Sequence, residues 1–268
     1  MSSKLRLHIL ASGSKGNAAI IETDETAILV DCGISRKQLL LRAEYLGVDI
    51  DKVKFVLLTH EHSDHTKGLK IFNKYHQVLM FTTQGTAEAK KATQELPFEI
   101  VRHSDEFYLG PVKVSCFPTS HDVMDPMGFR FDYKGDSLGY CTDTGYLTDE
   151  SIKLLTDTRI LAIESNHDEK MLQNGDYPRY LKDRIASDLG HLSNAQTNDY
   201  LNQLVTDRCE QIIGMHLSQD NNLPSKCIST ISQSLKAEKI NAVGTEASAH
   251  NGKLHICSAG QDRPITIQ

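Results

Sequence analysis

Residues 59–65 read THEHSDH and directly follow the run VKFVLL at 53–58. An apolar run of this length is a buried strand. Three histidines and two acids at its end are costly unless something binds them. Side chains two apart on an extended segment share a face, so His60 and His62 point the same way. Ser63 is placed to N-cap a helix whose first turn holds Asp64 and His65. His60, His62, Asp64 and His65 then converge within one loop. A solvated charged turn is the plainer alternative, and a lone His-x-His would favour it. Imidazole and carboxylate donors suit zinc, manganese or iron, and no thiolate marks a structural zinc.

Four ligands close one site but do not leave two sites open. Three further candidates sit where an apolar run stops: His121 after VKVSCFPTS, Asp143 after SLGYCT and His216 after EQIIGM. Together they make seven ligands, enough for two divalent ions with open positions. Proteins that only bind metal for structure do not need such positions, which argues against a regulatory binder without turnover.

A chain of 268 residues fits one large domain or two small ones; one domain over 1–268 is the expectation. No apolar run approaches the ~20 residues of a membrane span, and Ser and Gly interrupt the opening segment before a signal-peptide core develops. A cytoplasmic protein with no membrane partner is expected. The six scattered cysteines, with no C-x-x-C pair, read as reduced core residues. A net charge of −6 lacks the basic footprint of a sequence-specific DNA binder. It leaves room for a polyanionic substrate, because two divalent ions would concentrate positive charge at one spot.

Strands are expected at LRLHILA, AAIIET, TAILVD, VLMFTT and through the β-rich middle, with a hairpin turn in DYKGDS. SRKQLLLRAEYLG reads as a helix with Ser35 as N-cap, Leu39, Leu40, Ala43 and Leu46 as its apolar stripe and Gly47 as its stop. QGTAEAKKATQEL and PSKCISTISQSLKAEK each read as one helix, and INAVG as a strand. Layered sheets covered by helices fit this order better than a parallel Rossmann sheet, and no G-x-G-x-x-G or P-loop is present.

In order along the chain, THEHSDH, SHD at His121, TDTG at Asp143 and MHLS at His216 resemble the metallo-β-lactamase fold superfamily, with LVDCG at 29–33 ahead of them. ASGSKGNA, ESNHD (164–168) and GHLSN (190–194) carry a narrower resemblance to its YycJ/WalJ-type bacterial metallohydrolases. The chain also resembles the tRNA 3′-processing branch in Glu164 and in His191 of its GH-S element, without that branch's substrate arm. Only 73 positions separate Asp143 from His216, too few for the β-CASP insertion.

The resemblance implies an α/β fold, the four-layer αββα sandwich. It assigns His60, His62 and His121 to one metal and Asp64, His65 and His216 to the other, with Asp143 bridging. Zinc or manganese is implied. So is nuclease chemistry of 5′-exonuclease type through a hydroxide shared by the two metals, on DNA more than RNA.

Catalytic candidates are Asp64, His191 as proton donor and Glu164 as its partner. Asp31 would orient a metal-bound imidazole. Ser12, Ser14, Asn17 and His167 are candidate substrate contacts; exposed hydroxyl, amide and N–H groups in the 12–17 loop suit a phosphate. His8, His76, His103, His250 and His255 lack acidic companions in pattern and read as structural or surface residues. A small-molecule hydrolase for thioesters, lactones or cyclic phosphates is the rival. It calls for a closed pocket, where a nuclease calls for a basic track such as Lys4, Lys15, Arg36, Lys37 and Arg179.

Overall fold

The structure is a computed structural model that describes residues 4–268. The chain divides into two compact units. The first contains residues up to Pro118, Val123–Asp136 and Gly260–Gln268; the second contains Thr119–Asp122 and Ser137–Ala259.

Strands β1 (Arg6–Ala11), β2 (Ala18–Glu22), β3 (Ala27–Val30), β4 (Val53–Leu57), β5 (Leu79–Thr82) and β6 (Phe98–Ile100) lie side by side in the first unit, with the C-terminal strand Ile265–Ile267 outside β1. β1, β2 and β3 are antiparallel, with Leu7 opposite Ile21 and Ile20 opposite Leu29. β3 to β6 are parallel, with Leu29 opposite Val56 and Val56 opposite Met80. Parallel neighbours need crossovers. Helices α1 (Arg36–Tyr45), α2 (Ser63–Thr66), α3 (Leu69–His76), α4 (Gln84–Ala89) and α5 (Lys91–Gln94) occupy them. β7 (Glu106–Leu109), β8 (Val112–Pro118) and β9 (Met127–Tyr133) form an antiparallel meander in the same unit.

The second unit runs β10 (Asp136–Cys141), α6 (Asp149–Leu155), β11 (Ile160–Glu164), α7 (Glu169–Asn174), α8 (Arg179–Ile185), α9 (Asn194–Leu204), β12 (Gln211–Met215), α10 (Pro224–Ile231), β13 (Glu238–Lys239), β14 (Glu246–Ala249) and β15 (Leu254–Ser258). β10, β11, β12 and β15 are parallel, and β14 and β13 continue the sheet antiparallel. The parallel strands are buried on both faces, as helix-covered sheets require.

Local chemistry explains most boundaries. The Ser35 hydroxyl accepts from Gln38 N, and Gly47 stops α1 at φ +72°. Ser193 and Gln196 form a reciprocal capping box on α9. Lys134 and Gly135 both have positive φ, as a two-residue hairpin turn needs. All six cysteines are buried and unpaired with one another. Among the described residues, no helix is long and apolar enough to cross a membrane.

Four expectations need correction. β4 is not continuously buried, because Lys54 faces solvent. His62, not Ser63, is the N-cap of α2; Ser63 is already helical. The helix expected over 84–96 breaks at Lys90, whose backbone is extended and whose N–H bonds the Thr93 hydroxyl. The last helix stops at Ile231, and residues 240–244 form a turn, with the strands at Glu238–Lys239 and Glu246–Ala249 instead.

His8 lies in a buried ion cluster at the β1–β2 edge. Its Nε2 is 3.0 Å from Glu22 Oε2, and Arg6 Nη2 approaches the same oxygen at 3.0 Å. The hydrogen bond from His8, with the charge of Arg6, holds the Glu22 carboxyl below the ordinary carboxylate value against the opposing effect of burial. A lowered carboxylate stabilises the fold above its unfolded pKa of about 4.3 and loses that contribution as pH falls through the lower folded value. Glu22→Gln should therefore cost about 1–3 kcal/mol at pH 7. In urea unfolding the gap should close as pH drops below about 4. A gap as wide at pH 3 as at pH 7 would count against this role.

Candidate metal centre

In the first unit, the loop after β4 places His60 and His65 with ring centroids 4.1 Å apart and His60 and His62 at 4.8 Å. Alternation along the extended chain brings the last two together. Asp31, at the end of β3, organises the loop. Its Oδ2 accepts from His65 Nδ1 at 2.8 Å, and its Oδ1 accepts from Thr59 N at 2.9 Å. The Thr59 hydroxyl, 3.0 Å from Asp31, also lies 3.0 Å from His60 Nδ1. Three chain segments are stitched here by backbone bonds: Asn17 N to Asp64 O at 2.7 Å, Gly33 N to Asn17 O at 2.7 Å and Cys32 N to His65 O at 2.8 Å. Gly33 is required by that approach, since an added Cβ would lie 1.5 Å from Asp64 O.

In the second unit, Asp143, Glu164, His191 and His216 bring ligand-type atoms within 4.8 Å of one another. His121 joins them, its Nε2 3.9 Å from Asp143 Oδ1 and its ring 4.9 Å from that of His191. Glu164 is fully buried at the end of β11. One of its oxygens accepts from His191 Nδ1 at 2.9 Å and His216 Nδ1 at 2.8 Å. The other accepts from Thr144 N at 2.9 Å and Leu192 N at 3.3 Å. Burial alone would raise this carboxyl, but the two imidazoles outweigh it and hold the group well below the usual carboxylate range.

Asp31, Asp143 and His216 share a backbone feature. Each follows a strand and takes the left-handed conformation, with φ of 58°, 57° and 55°. Such residues cost about 1–3 kcal/mol and persist only where their surroundings fix them.

The donor chemistry fits divalent metal. A carbonyl only accepts, so His121 Nδ1 carries the proton it gives to Gly190 O at 3.0 Å. Burial pushes the His121 pKa down, with the charge of Asp143 opposing, so the ring is neutral and its Nε2 keeps a lone pair. Carboxylates fix the ring orientation of His65 and His216 in the same way, although the Nε2 of His65 accepts from the Asn17 amide. An imidazole tied through one nitrogen to an oxygen acceptor, with the other nitrogen turned away, is the form metal ligation uses. His65 Nε2 lies 3.0 Å from Asn17 Nδ2, and Asp64 Oδ2 3.3 Å from the same amide.

The remaining candidates fall in different places. Ser14 is exposed, whereas Ser12 and Asn17 are buried, so neither belongs to an exposed anion loop. Asn17 instead closes the Gly13 turn and holds Asp64 and His65. His167 is buried, and its pKa is pushed down to about 4, first by burial and then by the charge of His191. Arg36 lies over the Tyr75 ring at 4.4 Å, and Arg179 pairs with Asp183 at 2.8 Å. Sequence reasoning passed over Thr59, the Gly190 carbonyl and Asn166, whose amide donates to His216 O at 2.8 Å. The motifs THEHSDH, GHLSN and ESNHD contain them, but residue type gave no sign of their roles.

Residues 26–216 match the β-lactamase superfamily domain. The chain is 34% identical over 254 residues to exodeoxyribonuclease YycJ of Bacillus anthracis, covering 92% of this chain and 95% of that protein. It is 33% identical over 221 residues to exodeoxyribonuclease WalJ of Streptococcus pneumoniae serotype 2, covering 80% and 82%. The metallo-β-lactamase fold protein YhfI from Bacillus subtilis superposes with a TM-score of 0.70 over 98% of this chain and 99% of that one, at 13% identity. The α/β class with its two sheets and helices is thus the metallo-β-lactamase fold. With its fold, its matched domain and its near-full-length relatives in agreement, the chain is a hydrolase that belongs to the metallo-β-lactamase superfamily and, within it, to the YycJ/WalJ group.

Proposed function

We propose that this hydrolase is a dinuclear metal-dependent phosphodiesterase, a nuclease of 5′-exonuclease type that cuts DNA in preference to RNA in the cytoplasm. In this reading the two units act as one domain. His60, His62 and His121 would hold one divalent ion, Asp64, His65 and His216 would hold the other, and Asp143 would serve both. Zinc or manganese, when bound, supplies Lewis acidity toward a phosphoryl group and a nucleophile available at neutral pH. The names of the relatives at 33–34% identity support a nucleic-acid substrate.

The observation that carries the reading is the double use of Glu164. One carboxylate oxygen takes Nδ1–H from His216, a candidate ligand, and from His191, which no metal claims in this assignment. His191 is the more exposed of the two, with 14% of its side chain reaching solvent against 3% for His216. Its Nε2 edge is thereby left to hand a proton to a departing alkoxide. Asp31 and Glu164 keep the ligand imidazoles in register, and Asn17 restrains Asp64.

Three outcomes are expected. Asp143→Ala should lower cleavage of end-labelled single-stranded DNA at least a hundredfold with either metal. A protein inert on DNA and RNA that instead opens a thioester would replace the nuclease reading with the small-molecule one. His191→Ala should lower kcat on DNA by about 10²–10⁴ with little change in KM. That deficit should shrink on a thymidine 5′-(p-nitrophenyl) phosphate, whose leaving group needs no proton; an equal deficit on both substrates would remove His191 as the acid. Asp31→Ala should weaken manganese binding by about 10–100-fold in equilibrium dialysis, and unchanged affinity would refute its orienting role.

A further inference from the structure

A cavity of about 590 Å³ opens in the second unit beside the loop that follows β11. This volume is typical of small-molecule sites. Two adjacent loops form its connection to the Glu164–His191 pair. Asn166 N donates to Leu192 O at 2.8 Å, and Asn194 N donates to His167 O at 2.9 Å, so 164–168 runs alongside 191–194. One end of the paired loops carries Glu164 and His191. The other carries His167, in the wall of the cavity. His167 lies three positions after Glu164, about 10 Å along an extended chain.

His167 is only 2% exposed, yet its Nδ1 has no hydrogen-bond partner among the described residues. A buried polar nitrogen left this way costs free energy unless a ligand or water meets it. The charged groups of the wall cancel. Arg179 is paired with Asp183, Lys182 Nζ donates to Gln173 O at 2.8 Å, and Glu169 accepts from the Ser193 hydroxyl at 3.1 Å. A phosphate would find no net positive charge here. Ala186 supplies apolar surface beside the buried Leu172, and the side chain of Gln173 brings an amide, whereas the Gln196 oxygen already accepts from Ser193 N at 2.8 Å. An amide matches a donor–acceptor pair on a base edge, and the His167 imidazole in the wall holds a buried nitrogen that still lacks a hydrogen-bond partner among the described residues.

Building on the nuclease reading, we propose that this cavity is a nucleobase subsite that receives the unpaired terminal base of a single strand whose adjoining linkage is cut. A base drawn out of its stack gives up stacking, so a frayed or single-stranded end enters more readily than a paired one.

The test is equilibrium binding of full-length protein, with manganese, to a single-stranded oligodeoxynucleotide bearing 5′-terminal 2-aminopurine and phosphorothioate first linkages. Its control is the same strand with an abasic 5′ residue. The base-ended strand should bind at least fivefold more tightly, and its fluorescence should change on binding. Ala186→Trp, which fills the cavity, and Gln173→Ala, on an exposed helix position, should each remove that preference. Equal affinity of the wild type for both strands would overturn the subsite while leaving the nuclease reading intact, and so would a preference unaltered in both variants. No binding of either strand, with no cleavage of unmodified DNA, would overturn both.

Discussion

The second unit's site is arranged around one buried carboxylate. Glu164 sits away from solvent at the end of β11, where an isolated charge would be prohibitively costly. Two imidazole N–H groups and two backbone N–H groups make it tolerable. The two imidazole bonds fix the orientation of His191 and His216, and the two backbone donors tie the 142–144 turn to the loop before α9. Removing the carboxylate would release both rings at once. Asp31 does the corresponding work in the first unit, holding His65 through one oxygen and Thr59 through the other.

Backbone geometry completes what these carboxylates begin. Asp31, Asp143 and His216 each turn the chain in the left-handed region just past a parallel strand. Asp and His tolerate that region better than β-branched residues do, so residue type serves turn and chemistry together. Gly33 answers the complementary need. The chain passes so close to Asp64 that no side chain fits, and the stitched backbone there sets the position of the histidine-rich loop.

These features differ in how visible they are in the sequence. The histidine-rich loop is legible because its ligands are close in sequence and follow a strand. His121, Asp143 and His216 are legible only as polar residues at strand ends, and become persuasive through their order along a family pattern. The capped helices at Ser35 and Ser193 follow from short-range hydrogen bonds that residue type announces. The Gly190 carbonyl does not, because every residue has a carbonyl and its contact with His121 spans 69 positions. The inward placement of Asn17 is hidden for a related reason. An amide in a Gly-Ser loop suggests an exposed anion site, yet this one is folded inward onto Asp64 and His65, 47 and 48 residues away. The break at Lys90 lies in a segment of good helix formers, where Thr93 competes for the backbone through its hydroxyl.

The measurement that bears most directly on this account is anomalous diffraction from crystals of the protein grown with manganese. The account predicts two peaks about 3.5–4 Å apart. His60, His62 and His121 should coordinate one, Asp64, His65 and His216 the other, and Asp143 both. A single peak, or a pair of peaks with none of His121, Asp143 and His216 within bonding distance, would contradict it.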